Sequence, residues 1–325
     1  MIVAGIDEAG YGPTLGPLVI SASVFRVPDA ESPPNLWKLL RSAVCRKPDE
    51  RRIPVDDSKK LFQQRRGLRQ LEEGVLPFIT LRRGHLPRDF RALLASVVAS
   101  TSEDPAVYLE SYPWYRGCNV DLPHDTYAGV IRTRRDRLAA ALEEAQVEHL
   151  GLSTYPIEVT QFNRELSQHS SKAGVSFNAI GAIIKRLWRQ FPDEAVEVTV
   201  DRQGGRTKYG PLLYAKVHPK SIRIEEQSTE RSVYVLTRRH RPTTRFRVHF
   251  VKDSEESYLA VALGSMLSKY IRELHMHLFN RFWLEKRENL KPTAGYAQDA
   301  RRFLKDIARE RAELRIKDDM LIRRR

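Results

Sequence analysis

Two adjacent carboxylates, Asp7 and Glu8, end the apolar run Ile2-Val3-Ala4-Gly5-Ile6 and lead into Ala9-Gly10-Tyr11-Gly12-Pro13. The run reads as a buried strand, and burying ionised groups is costly unless something positive compensates them. Successive side chains on a strand point to opposite faces, so the two acids converge only where the chain bends. The glycine-proline turn supplies that bend. Two acids gathered at the end of a core strand, facing a Gly-rich turn, point to a divalent-metal site. The plainer alternative is a pair of acids opening a solvated turn.

The same pattern returns twice. Val196 to Val200 is a clean strand ending at Asp201, and Phe246 to Val251 runs to Asp253. Singly, Asp201 can simply open the Gly204-Gly205 turn. Asp253 can be a helix N-cap, with Glu256 at capping-box spacing. If the sheet gathers these ends, four acids share one edge, and only cations make that tolerable.

Net charge supports a polyanionic partner. Lys and Arg total 55 against 41 acids, a formal +14 over 325 residues. An excess of that size favours nucleic acid. Arginines cluster at Arg65-Arg66, Arg132 to Arg137, Arg238 to Arg241, Arg301-Arg302 and Arg323 to Arg325. Hydrophobic residues at 41% and charged residues at 30% fit a soluble globular protein. No apolar run reaches the roughly 18–20 residues of a membrane span. The chain enters a strand at once, so no signal peptide is expected. Cys45 and Cys118 are too few for a disulfide framework or a cysteine zinc site, and a cytoplasmic location is expected.

Along the chain, Leu18 to Phe25 is a second strand, forming a hairpin with the first. Asp56-Asp57-Ser58-Lys59-Lys60-Leu61 opens a helix to about Glu73, with Asp57 or Ser58 as N-cap. Helical spacing covers Asn35 to Ala43, Arg88 to Ala99, Thr126 to Val147 and Ser176 to Gln190. Strands are expected at Val233 to Leu236 and Phe246 to Val251. A long helix starts at Asp253 with an apolar face of Leu259, Ala262, Leu263, Met266, Leu267, Tyr270 and Leu274. His275 and His277 are two apart and do not face one another on that helix, so the pair is expected at the surface. A charged helical region, about Gln298 to Arg315, follows. Strands interleaved with amphipathic helices indicate an α/β fold with helices packed on a mixed sheet. There is no phosphate-binding Gly-x-x-x-x-Gly-Lys loop and no Gly-x-Ser-x-Gly elbow.

At these residues the chain resembles the type 2 ribonucleases H, the ribonuclease HII/HIII group. Gly5-Ile6-Asp7-Glu8-Ala9-Gly10-Tyr11-Gly12-Pro13 is similar to that family's N-terminal signature, and Asp57-Ser58-Lys59-Lys60-Leu61 to its second. Val200-Asp201 is similar to the strand carrying the third acid. Lys252-Asp253-Ser254, with Leu259-Ala260-Val261-Ala262 and Ser265-Met266-Leu267-Ser268-Lys269, resembles its helix motif. Leu-Ala-Val-Ala leans toward the HIII branch, an aspartate at 253 toward HII. The likeness covers roughly residues 1–80, 156–203 and 248–300.

The resemblance implies an RNase H-like fold: a mixed β-sheet flanked by helices, with a C-terminal helical region. It implies a catalytic domain over 1–290, with insertions at about 84–155 and 204–247, then a basic helical segment over 291–325. It implies hydrolysis of the RNA strand of RNA–DNA hybrids, or of ribonucleotides embedded in DNA, leaving 5′-phosphate and 3′-hydroxyl ends. Catalysis and metal binding fall on Asp7, Glu8, Asp201 and Asp253. Two divalent ions, Mg²⁺ or Mn²⁺, would suit this oxygen-only set. Asp7 is assigned as their bridge, Glu8 and Asp253 to one ion and Asp201 to the other. Substrate contacts fall on Gly10, Tyr11, Gly12, Ser58, Lys59, Lys60 and Tyr296, with no membrane and a monomer expected. Ser265 reads as structural.

Three departures stand out. Tyr11 occupies a place that is usually basic between the glycines, Ala294 a basic place before Gly295-Tyr296, and Arg272-Glu273 replaces an arginine-aspartate pair. They keep two alternatives open: a non-catalytic nucleic-acid-binding protein on the same scaffold, or a nuclease of this fold with another substrate.

Overall fold

Seven strands form one mixed sheet in the computed structural model, which describes residues 1–62, 67–99, 104–169, 171–202 and 204–324. They are β1 (Ile2–Ala9), β2 (Leu18–Arg26), β3 (Glu148–Ile157), β4 (Val196–Asp201), β5 (Ser221–Gln227), β6 (Arg231–Thr237) and β7 (Phe246–Val251). The spatial order is β3-β2-β1-β4-β7-β6-β5. β1 and β2 form the expected antiparallel hairpin, and β3 pairs antiparallel to β2. β4 lies parallel to β1, and β7 parallel to β4. β6 and β5 extend that edge as antiparallel strands.

β1 is central and covered on both faces, which is why Ile2 to Ile6 is continuously apolar rather than alternating. One face carries Ile2, Ala4, Ile6, Val196, Val198, Val200, Val248 and Phe250 into a core beneath helix α4 (Lys172–Gln190). Ile180, Ile183, Ile184 and Leu187 of that helix supply the other half. The opposite face packs on α6 (Leu259–Lys286), together with α1 (Arg69–Arg83) and α2 (Ala128–Glu144). α6 crosses β1 at Gly5, where an added Cβ would stand 2.2 Å from the Ala260 backbone. Only glycine allows that approach, and it fixes the start of α6 over the end of β1.

The chain then closes with α7 (Ala297–Asp306), a short helix Ala308–Glu313, and α8 (Asp318–Leu321), which packs on α3 (Val159–His169). Ala300, Phe303, Ile307 and Leu321 join the same apolar cluster as α6. α5 (Gly210–Val217) precedes the β5–β6 hairpin. Among the described residues no helix is long and apolar enough to cross a membrane.

Several sequence expectations change. The irregular middle ends in β3, a core strand that Val147 to Tyr155 did not announce because Gly151 and His149 interrupt its apolar pattern. The helix expected from 57 to 73 comes as Ser58–Leu61 and α1; Asp57 is the N-cap, accepting from the Lys59 amide at 2.9 Å. Arg65-Arg66 and Arg325 lie outside the described residues. His275 is not at the surface: it is fully buried, with Nδ1 2.7 Å from the Ile271 carbonyl and Nε2 3.2 Å from the Tyr108 hydroxyl. The aromatic segment around Tyr108 to Tyr115 covers this part of α6, which the helix spacing alone could not reveal.

Candidate active site

Register builds the site. Ile6 pairs with Val200 across the parallel β1–β4 ladder, so Asp7 and Asp201 follow side by side on the face toward α6. The strands' carboxyl ends open there into a cleft of about 240 Å³. Its walls include Asp7, Glu8, Gly10, Tyr11 and Gly12 from the first strand and turn, and Ser58 and Lys59 from the short helix. Asp201, Glu255, Ser265, Lys269, Arg272 and Tyr296 complete it.

The acids are held closely. Asp7 is buried, and its Oδ1 accepts the Glu8 amide at 2.6 Å, which marks the bend that brings Glu8 to the cleft. Ser268 donates to the Asp7 carbonyl at 3.0 Å, pinning the strand end to α6. Asp201 Oδ1 accepts both the amide and the hydroxyl of Ser254, at 2.9 and 3.0 Å. Those two bonds also place the turn carrying Glu255.

Asp253 is not brought in. It is exposed, it sits at φ +49°, and its side chain makes no cap bond. α6 begins only at Leu259, and a single 3₁₀ turn, Ser254–Glu256, bridges from β7. That turn sends Asp253 outward and Glu255 inward, where Glu255 is buried and lines the cleft. Sequence reasoning missed Glu255 because it took the long helix to start at Asp253. Three acids within Asp253 to Glu256 were the visible signal, but not which one points in.

Electrostatics mark the cluster as strained. Burial, then Glu8 and Glu255, push the Asp7 carboxyl well above the usual range, against opposing bonds from Ser265 and the Glu8 amide. Burial, then Asp7 and Glu255, push Asp201 up to about 8, although Ser254 opposes this. Lys59 answers them. Burial would lower its ammonium, but Asp57, Glu255, Asp7 and Asp201 more than offset that and hold it raised. Its Nζ is 4.0 Å from Glu255 Oε1.

The remaining expected contacts divide. Ser58 is buried, and its Oγ lies 3.0 Å from the Ser265 Oγ, so Ser265 joins the site instead of serving the core alone. Lys60 turns away from the cleft and pairs with Glu256 at 2.9 Å. Tyr296 stays half exposed at the rim, about 6.0 Å from the Arg272 guanidinium. Lys269 lies over the Phe62 ring at 4.4 Å and pairs with Glu273 at 2.8 Å.

Five strands, in the order β3-β2-β1-β4-β7 with β2 alone reversed, carry acids at the ends of the two central parallel strands. The fold is ribonuclease H-like. The chain is similar to a ribonuclease HII of Archaeoglobus fulgidus, solved in complex with PCNA. Identity is 18% and TM-score 0.48, over 100% of this chain and 95% of that one. It is similar to ribonuclease H2 of Pyrococcus horikoshii OT3 at 15% identity and TM-score 0.48, over 99% and 92%. Bst-RNase HIII in complex with Mn²⁺ matches at 13% and 0.40, over 99% and 66%. No protein-family model and no curated protein matches the sequence.

Proposed function

We propose that this protein is a divalent-metal-dependent endonuclease that hydrolyses RNA within RNA–DNA hybrids or ribonucleotides embedded in DNA. Asp7, Glu8, Asp201 and Glu255 are its acidic residues. The observation that carries this reading is the Asp7–Asp201–Glu255 cluster, two buried acids and a half-buried one that repel one another and face an open cleft. Such a group persists at neutral pH by taking up protons or cations.

The donor set fits a hard cation, being oxygen only. Among the described residues no three of these acids close into a ready-made cage. Mg²⁺ and Mn²⁺ keep several waters and share their coordination with substrate phosphate, so such an ion would be held jointly by these acids, water and substrate. When bound, such ions supply an activated water and charge neutralisation at the leaving oxygen.

The chain's own groups do the rest. Lys59 stands where a phosphodiester would meet the acids, and its raised pKa keeps it charged. Ser265 and Ser254 orient Asp7 and Asp201 respectively. The turn from Gly10 to Gly12 presents main-chain groups to the strand and is the candidate for reading the 2′-hydroxyl, which separates RNA from DNA. Tyr296 offers an exposed ring for stacking on a nucleotide.

The test is cleavage of two labelled duplexes, a full hybrid and one with a single ribonucleotide, in Mg²⁺ and in Mn²⁺. Cutting that disappears in Asp7→Asn and in chelator supports the reading. Absence of cutting in either metal, with salt-sensitive duplex binding intact, would leave a binding protein or another substrate.

A further inference from the structure

The turn that forms one wall of the cleft is held by a residue more than 300 positions away. Arg323 Nη1 donates to the Gly10 carbonyl at 2.7 Å, and the Arg323 amide donates to the Thr14 carbonyl at 2.9 Å. The Arg323 side chain is buried, with its guanidinium 5.1 Å from the Phe162 ring centre on α3. Its neighbours are fastened too. Asn163 donates to the carbonyls of Asp319 and Ile322 at 3.2 and 2.9 Å, and accepts the Arg324 amide at 2.8 Å.

From its other side the same turn meets Arg272. A Cβ on Gly10 would stand 2.6 Å from Arg272 Nε, and Gly10 itself sits at φ +86°. Arg272 Nη2 donates to the Ala294 carbonyl at 2.9 Å, and Gly295 accepts the amides of Thr14 and Leu15. The turn is therefore clamped between a helix arginine and a tail arginine.

Burying a guanidinium is costly for folding. Here Nε and Nη2 of Arg323 have no hydrogen-bond partner among the described residues. Burial and the nearby Arg272 charge lower its pKa to about 9, leaving it charged at neutral pH. An apolar side chain would fill this place at less cost but could not grip Gly10. We propose that Arg323 is a positioning residue: through the Gly10 carbonyl, the tail from Asp318 to Arg324 holds the Gly10–Pro13 turn in the shape that receives the substrate phosphodiester. This rests on the nuclease reading above.

The test compares wild type with Arg323→Ala, Arg323→Lys and Asn163→Ala on the RNA–DNA hybrid, well below the thermal midpoint, with circular dichroism reporting folding. The other cleft contacts still bind the duplex, so Arg323→Ala should lower kcat by about tenfold or more while KM changes less than about threefold; ångström-scale misplacement has effects of that size. Millimolar guanidinium, but not potassium at equal ionic strength, should restore part of the rate by filling the vacated place. Arg323→Lys should retain an intermediate kcat. Asn163→Ala, which unhooks the tail without touching Arg323, should show a smaller fall of the same kind.

A folded Arg323→Ala whose kcat stays within about twofold of wild type overturns the proposal, since a purely structural arginine moves only the thermal midpoint. If Arg323→Ala does not fold, Asn163→Ala decides by the same criterion. If wild type binds the hybrid without cutting it, the nuclease reading falls and hybrid affinity decides for the strap. Affinity about fivefold weaker in Arg323→Ala, near 1 kcal/mol, then supports it, and equal affinity overturns it. If wild type neither cuts nor binds the hybrid, both readings fall.

Discussion

Two pairs of acids withdrawn from solvent, all buried but the half-buried Asp201, lie on the same side of the sheet, and the chain treats them in opposite ways. Glu72 and Glu73 of α1 are buried, yet their oxygens are well supplied with donors. Glu72 accepts the amides of His124 and Asp125 at 2.6 and 2.7 Å and the Tyr270 hydroxyl at 2.9 Å. Glu73 accepts Arg134 and Arg69, both at 2.8 Å, and the Thr126 hydroxyl at 2.9 Å. Asp7 and Asp201 instead have each other and Glu255 as neighbours, and Glu255 Oε2 has no hydrogen-bond partner among the described residues. Burial alone therefore does not mark a functional acid. The first pair ties α1 to the loop before α2; the second meets an open cleft with too few donors, the arrangement expected where a ligand completes the shell.

That contrast predicts opposite outcomes for two substitutions. Asp7→Asn should reduce hybrid cleavage by about a thousandfold, ~4 kcal/mol in the barrier. It should also raise the thermal midpoint measured in chelator, because one member of a mutually repelling acid cluster is gone. A lowered midpoint would mean that Asp7 is a structural acid like Glu73. Arg134→Met removes the buried partner of Glu73, the pair being 5% and 6% exposed. With Arg69 and the Thr126 hydroxyl still on Glu73, losing that buried partner should cost about 1–3 kcal/mol in denaturant unfolding, while the folded fraction keeps its cleavage rate. Loss of rate without loss of stability would show that the two regions are coupled.

The next effect is smaller and tests which acid completes the cluster. Glu255→Gln should lower cleavage about a hundredfold, ~2.7 kcal/mol, while Asp253→Asn leaves it within about twofold. The reverse ranking would restore the sequence-based choice. Here the limits of sequence reading have a local cause. β1, β4 and β7 were legible because each is a short β-branched or apolar run, and the alignment of Asp7 with Asp201 follows once β1 and β4 pair in parallel. The glycine turn and the Ser58–Leu61 cap were legible from residue type. Glu255 was not, because a one-turn 3₁₀ link shifts the inward position by two residues without changing composition. Arg323 was hidden for another reason: its partner is a main-chain carbonyl at the far end of the chain, which no spacing encodes. It lay in what read only as a basic terminus.

A third way of burying an ionisable group completes the comparison, and it yields the smallest effect. His149 on β3 is buried between Phe25 and Phe78, with ring centres 5.0 and 5.1 Å away. Neither ring nitrogen has a hydrogen-bond partner among the described residues. Burial, helped by the Arg82 charge, pushes the imidazole down to about 3 from its ordinary 6.5, so it stays neutral at neutral pH. The sign follows from linkage. Between those two values the unfolded chain binds the proton and the folded chain does not, so stability falls as pH falls below about 6.5. Each pH unit costs at most about 1.4 kcal/mol, giving roughly 2 kcal/mol between pH 6.5 and 5. His149→Phe keeps an aromatic ring between the two phenylalanines and removes the titration. Unfolding free energies at several pH values should show the wild type losing stability over this window about 2 kcal/mol faster than the variant. Parallel pH profiles for the two proteins would mean that His149 finds a partner when protonated, and that this part of the core tolerates charge as the Glu72–Glu73 pair does.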